Sequence, residues 1–155
     1  PQVLGLDLDL PGTKVIIGDG PDLEKLRAQY PDTHFLGAHY GEELATLVSA
    51  ADVFVFPSRT DTFGLVLLEA MACGIPVAAY PVPGPKDVIK QGVTGVMDDD
   101  LRTAWSAALS LDPIHCRQFA ADYSWSRSTD RFLGFQAPIH REAKTHTARA
   151  AGIPD

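Results

Sequence analysis

The four consecutive apolar residues Val53-Phe54-Val55-Phe56 constrain the fold more than any other part of the sequence. A strand with one face in water alternates apolar and polar side chains, whereas this run contains no polar side chain. Both faces of such a strand must be covered, as they are in a parallel sheet that has helices on either side. The run therefore predicts a buried strand in a protein of the α/β class.

Apolar, strand-like runs alternate with helix-like segments along most of the chain. Strands are predicted at 14–18, 34–37, 53–56, 75–79 and 92–97. The strand at 14–18, like the strand at 53–56, is predicted to be buried. Helices are predicted at 22–30, from 41 to about 51, and at 63–73, 86–90, 101–111, 113–123 and 125–135, after a mildly helical opening at 1–11. We therefore expect a Rossmann-like, doubly wound parallel sheet flanked by helices over residues 1–135, with C-terminal helices and a polar, frayed or disordered tail at 136–155.

The composition narrows the classes of partner. Thirteen Lys and Arg against 20 Asp and Glu give a net charge of −7, which argues against nucleic acid as the main partner. No apolar run approaches the ~18 residues of a membrane span, and no leader sequence is expected. The two cysteines, Cys73 and Cys116, lie far apart and predict neither a disulfide nor a zinc site.

Residues 57–77 contain the main candidate functional residues. They are predicted to form the end of a strand, a polar loop and a helix with Gly64 in its first turn. Parallel sheets bind ligands beyond the carboxyl ends of their strands, and a helix N-terminus attracts anions. Arg59 is a loop cation well placed for a phosphate, unless it pairs with Asp61 or Glu43. Asp61 borders this crevice and Glu69 reaches back toward it, on a face shared by positions 62, 65, 66 and 69. The alternative, equally open from the residues alone, makes Asp61 a helix cap and puts Glu69 on a solvated face.

The stretch resembles the nucleotide-sugar-binding motif of retaining glycosyltransferases with the GT-B fold, group 1 (family 4). That motif has an acidic residue, seven further residues and then Glu, as Asp61 and Glu69 are spaced here, with Phe63-Gly64 between them. The family's Glu-Ala-Met-Ala-x-Gly-x-Pro-Val follows at 69–77. Further matches lie in order at 18–21, 35–37, 51–58 and 92–95, so that the resemblance covers about residues 12–135.

The resemblance implies a role for each matching position. It implies that Glu69 binds the ribose hydroxyls and that Asp61 faces the donor sugar. Asp61 and Glu69 are therefore the candidate catalytic residues. It places the diphosphate on the backbone N–H groups of Gly64 and Leu65, next to Phe63. It places the base against Leu36 and Gly37. It also implies that Gly18 and Gly20 line the floor of the crevice. Asp61 stands where the family usually has Glu, and Pro83-Gly84-Pro85 replaces part of a Gly-Gly loop.

The resemblance also implies what the whole enzyme does. A hexose is expected to pass from a nucleotide-diphospho-sugar to an acceptor held by a missing N-terminal domain, without a metal ion or other cofactor. The family's Arg and Lys phosphate ligands match nothing here, so this chain alone is expected to be inactive. The resemblance implies a cytoplasmic setting, at the inner face of the membrane for some members, and hence peripheral membrane association. The alternatives are a GT-B nucleotide-sugar epimerase and a non-catalytic nucleotide-binding module.

Two acidic segments offer a superficial metal motif. Asp7-Leu8-Asp9 and Asp98-Asp99-Asp100 both contain Asp-x-Asp, but neither is expected to follow a strand. The first is expected on a helix, where side chains two residues apart diverge. No metal ligands are therefore predicted.

Overall fold

A computed structural model of the chain describes residues 6–60 and 62–135, so the tail predicted at 136–155 lies outside the described residues. The described residues fall into two compact units that divide between Ser124 and Trp125. The strands are β1 (Lys14–Ile17), β2 (Thr33–Gly37), β3 (Phe54–Phe56), β4 (Val77–Ala79) and β5 (Gly95–Met97). The helices are α1 (Leu23–Gln29), α2 (Gly41–Ser49), α3 (Leu65–Ala72), α4 (Pro85–Val88), α5 (Leu101–Ala108), α6 (Pro113–Ala121) and, in the second unit, α7 (Trp125–Gly134). Strands and helices alternate along the chain, and the predicted α/β class is confirmed.

The described strands form two parallel sheets. One pairs β1 with β2, and the other has the order β3-β4-β5. In the second sheet Val77 lies opposite Phe54 on one side and Gly95 on the other. A Cβ added to Gly95 would come within 2.4 Å of the Val77 carbonyl oxygen, so this close strand approach requires glycine.

Alternate residues of the three-stranded sheet enter two apolar clusters. Val77 and Ala79 face the first cluster, together with buried residues of α3 and with Cys116 of α6. Ala78 and Tyr80 belong to the second cluster, together with buried residues of α5. Strand β3 contributes Phe54 and Phe56 to the first cluster, and Val53 and Val55 line the second. The prediction that this apolar run is covered on both faces is therefore confirmed.

The two-stranded sheet differs from the predicted buried strand. Val15 in β1 is 49% exposed, and no residue of β1 or β2 is fully buried. Among the described residues, β1 pairs with β2 alone, so one edge of its apolar run has no neighbouring strand. The predicted helical opening is also wrong over its described part, because residues 6–11 form a turn and bends. There the Lys14 ammonium donates to the carbonyl oxygens of Leu6 and Leu8, at 3.5 and 2.7 Å.

None of the helices that the structure describes combines the length and the apolar character that a membrane crossing requires. Both cysteines are free: Cys116 is buried in α6, and Cys73, directly after α3, is half-buried. Burial raises the pKa of the Cys116 thiol. The two thiols thus act as small apolar side chains, as expected.

Leucines on opposite faces of α3 give a test of the packing. Leu67 is completely buried, whereas Leu65 is 66% exposed on the same helix. We expect Leu67→Ala to lower the free energy of unfolding by about 2–5 kcal/mol, because it removes buried methyl groups and leaves a cavity. The control Leu65→Ala should change it by less than about 0.5 kcal/mol. Urea unfolding measures both, and similar losses in the two variants would contradict the placement of α3.

Candidate functional site

The loops that follow β1 and β2 meet at the carboxyl end of the smaller sheet. The Gly18 N–H donates to the Gly37 carbonyl oxygen at 2.7 Å, which joins two of the predicted crevice residues. A Cβ placed on Gly18, Gly20 or Gly37 would meet no atom within 4 Å. Leu36, the predicted contact for the base, is 41% exposed. The four residues therefore border open space, while their contact with a ligand stays a prediction.

Helix α3 begins two residues later than predicted. The expected start was Phe63 with Gly64 inside the first turn, whereas the helix begins at Leu65 and Gly64 is its N-cap. The φ angle of Gly64 is 73°, in the left-handed region that residues with a side chain rarely enter. This backbone reversal sets the direction in which the first N–H groups of α3 point, and such groups have no partner inside their own helix.

The predicted shared face of α3 is confirmed for positions 65, 66 and 69, whereas Thr62 precedes the helix. Leu65, Val66 and Glu69 are exposed, whereas Leu67 and Ala70 face the core. No salt bridge among the described residues uses the Glu69 carboxylate. Glu69 thus occupies a solvated face, as in the simpler interpretation, and from that face it is accessible to a ligand at the beginning of the helix.

The residues around the start of α3 complete this part of the site. Phe63 precedes the N-cap and is 45% exposed. Asp61, the predicted contact for the donor sugar and a candidate catalytic residue, lies outside the described residues. Helices α2 and α3 contact each other, which links the loop after β2 to the helix that carries Glu69.

Arg59 and Tyr80 form a contact that the sequence did not predict. Arg59 follows β3, Tyr80 follows β4, and the guanidinium carbon lies 3.6 Å from the centroid of the Tyr80 ring. The predicted alternative partner of Arg59, Glu43, instead pairs with His39. A signal for Tyr80 was present in the sequence, since it is an aromatic residue at the carboxyl end of a buried strand.

His39 braces the loop between β2 and α2. Its Nδ1 lies 3.1 Å from a Glu43 carboxylate oxygen, and its Nε2 lies 3.1 Å from the Leu36 carbonyl oxygen. Both partners are hydrogen-bond acceptors, so only the doubly protonated ring can donate to both at once. The hydrogen bond to Glu43 raises the pKa of His39, with partial desolvation acting in the opposite direction.

The second acidic segment, Asp98-Asp99-Asp100, directly follows β5, so the prediction that neither acidic segment follows a strand is wrong for it. Both acidic segments have partners within the fold. Asp100 is the N-cap of α5, where it accepts hydrogen bonds from the Arg102 N–H and the Thr103 hydroxyl. The Thr103 hydrogen bond contributes most to lowering the pKa of Asp100. Asp9 forms an exposed salt bridge with Arg102 at 3.3 Å, and Asp7 accepts a hydrogen bond from the Tyr30 hydroxyl. Within the described ranges, no three His, Cys, Asp or Glu side chains gather as metal ligands.

The sequence of residues 10–111 matches the profile of the family described as "Glycosyl transferases group 1". A GDP-mannose-dependent alpha-mannosyltransferase of Corynebacterium glutamicum is 44% identical over 136 residues, with 81% of this chain and 33% of the relative covered. A D-inositol 3-phosphate glycosyltransferase of Mycobacterium avium is 32% identical over 178 positions, with 97% of this chain and 41% of the relative covered. The chain thus spans between a third and about two fifths of the length of these relatives.

Among solved structures, a lipopolysaccharide outer core galactosyltransferase, WaaB in its apo form, is similar in fold. The TM-score is 0.69 at 22% identity, and the likeness covers 81% of this chain and 41% of that one. The likeness agrees with the predicted half of a GT-B fold.

A substitution at the α3 N-cap tests the strained turn. We expect Gly64→Ala to lower the free energy of unfolding by about 1–2 kcal/mol, because alanine is disfavoured at this φ angle. Its Cβ would also lie 2.8 Å from Leu67 Cδ1, which must move. The control is Gly20→Ala, since Gly20 has no positive φ angle and its added Cβ meets nothing within 4 Å. Equal stability of the two variants in urea unfolding would contradict the left-handed turn.

The His39 contacts predict a pH dependence. Because folding raises the pKa of this imidazole, its stabilising contribution is complete below the unfolded pKa and is lost as the pH rises through the folded pKa. In an NMR titration, Glu43→Gln should move the His39 midpoint to lower pH. Glu42→Gln, a change at the preceding residue on α2, should leave that midpoint in place. An unmoved midpoint in Glu43→Gln would contradict the pairing.

Proposed function

Because the chain belongs to the group 1 glycosyl transferase family, we propose that its three-stranded sheet and α3 bind the nucleotide-diphospho-sugar donor of a retaining hexosyltransferase. One observation carries the proposal: α3 begins at the carboxyl edge of the sheet and presents Glu69 on its exposed face. A ligand at this edge meets the positive end of a helix and a carboxylate less than two turns further along. Those groups suit a diphosphate and a ribose, respectively.

We propose GDP-mannose as the first donor to test. The mannosyltransferase of Corynebacterium glutamicum is named as GDP-mannose-dependent, and its 44% identity spans 81% of this chain. In this proposal the base lies near Leu36 and Gly37, with Gly18 and Gly20 keeping the crevice open. Each of these glycines leaves open space where a side chain would stand.

The proposed chemistry relies on charge placed where the diphosphate leaves. As the bond to the sugar breaks, negative charge grows on the leaving phosphate. Positive groups lie at the carboxyl ends of the strands: the backbone N–H groups of Gly64 and Leu65 and the Arg59 guanidinium. We propose that these groups do the work a metal ion does elsewhere, so that EDTA leaves donor binding unchanged. The sugar is proposed to lie near Asp61.

Transfer itself is proposed to require an acceptor-binding domain beyond these 155 residues. The chain spans a third of the mannosyltransferase it resembles, which leaves room in such an enzyme for a second domain. Purified alone, this chain is proposed to bind donor and transfer no sugar. The two free cysteines suit a reducing compartment, and we propose a cytoplasmic setting, with any membrane association made by the whole enzyme.

Removal of the Glu69 carboxylate tests the donor site. Calorimetric titration of this chain with GDP, UDP and ADP should show selective binding of one nucleotide. Glu69→Ala should weaken that binding by about tenfold or more, since a hydrogen bond to a charged group contributes about 1.5–3 kcal/mol. The matched control Glu24→Ala removes an exposed carboxylate on α1 and should bind normally.

A ribose analogue makes the test specific to the proposed contact. If Glu69 binds the ribose hydroxyls, wild type should prefer GDP to 2′,3′-dideoxy-GDP and Glu69→Ala should not. A preference of equal size in both proteins would contradict the role given to Glu69. Wild-type protein that binds none of the three nucleotides would contradict the donor site as a whole.

A further inference from the structure

The contact between Arg59 and Tyr80 joins an exposed cation to a buried ring. Tyr80 is 7% exposed and belongs to the cluster that contains Ala78 and Leu101. Arg59 is exposed, and its guanidinium carbon lies 3.6 Å from the ring centroid. At this distance the electron-rich face of the ring attracts the cation. The buried cluster thus provides a fixed platform for a side chain that otherwise moves freely.

Stacking leaves the hydrogen-bonding edges of a guanidinium available. The guanidinium carbon is close enough to the ring for the flat face of the guanidinium to lie against it, and in that arrangement the five N–H groups point outward in the guanidinium plane. No salt bridge among the described residues uses Arg59. The forked donors of an arginine match the oxygens of a phosphate better than a single point charge does. Arg59 on its ring is therefore prepared to receive a phosphate group.

We propose that Tyr80 is a positioning residue that holds Arg59 for the β-phosphate of the donor. The proposal rests on the proposed function, since it takes the carboxyl edge of β3 and β4 as the donor site. A free arginine loses rotamer freedom when it binds, and part of that loss occurs beforehand if the side chain already lies on a ring. The contribution of Tyr80 is therefore to donor affinity through Arg59, without a contact of its own to the donor.

Phosphate number separates this role from a purely structural one. GMP lacks the β-phosphate, so the ratio of GDP to GMP affinity reports on Arg59 while contacts to the base and ribose cancel. Calorimetric titration of this chain should give a ratio that falls about tenfold in Arg59→Gln. It should fall by a smaller factor in Tyr80→Leu, because the unplaced arginine keeps its charge and its forked donors. The double variant should show the same ratio as Arg59→Gln alone, as a double-mutant cycle requires of a residue that acts only through another.

Two controls address the burial of Tyr80. Tyr80→Phe keeps the ring and should keep the ratio. Leu101→Ala creates a cavity in the same cluster without removing either member of the pair, and should lower stability while the ratio is retained. If Tyr80→Leu does not fold, Arg59→Lys supplies the test, because it keeps the charge, loses the planar stack and leaves the buried ring intact. The ratio should fall in Arg59→Lys as well.

The outcomes separate this inference from the proposed function. A normal ratio in Tyr80→Leu, or in Arg59→Lys where that variant replaces it, would overturn the positioning role. A normal ratio in Arg59→Gln, together with weakened GDP binding in Glu69→Ala, would overturn the inference and leave the donor site standing. Wild-type protein that binds neither GMP nor GDP would overturn both.

Discussion

Strand β4 lies between two apolar clusters, and the position of the candidate site depends on that burial. Its three residues are completely buried, and alternate side chains enter opposite clusters. Because β3 and β5 pair with it in parallel, the carboxyl ends of all three strands reach one edge of the sheet. The same burial that stabilises the sheet therefore brings Arg59, Tyr80 and the start of α3 to that edge.

Helix α3 shows how packing decides which residues remain available for chemistry. Its sequence is apolar almost throughout, so periodicity alone gives a weak indication of its inner face. Gly64 turns the chain through a left-handed conformation, and its carbonyl oxygen accepts the Leu67 N–H at 2.9 Å. Leu67 then enters the core, which leaves Glu69 facing solvent. The exposure of a carboxylate in an apolar helix is thus a consequence of the turn that precedes it.

Sequence patterns predicted the order of the strands and helices. They also predicted that both faces of β3 are covered, because an unbroken apolar run does not leave one face of a strand in water. They did not predict that Val15 is half-exposed, since exposure depends on how many neighbours β1 has and not on its own residues. The helix start was misplaced at Phe63 because the positive φ angle of Gly64 is a property of the folded backbone. The contact of Tyr80 with Arg59 joins residues 21 positions apart, and no local pattern reports such a pair.

Electrostatics explains why a small number of fixed groups matter at this edge. The whole chain carries a net charge of −7, so its average field repels a nucleotide diphosphate. In the proposed function, the attraction comes from local positive groups, because water and salt screen them little over short distances. The N-terminus of α3 is one such positive group, and the turn at Gly64 sets the direction in which its free N–H groups point. Arg59 is another, and a mobile arginine in water gives little of its charge to any one point. In the proposed function, contact with a buried ring holds the Arg59 charge at one place, and a charge fixed in advance is what stabilises a transition state.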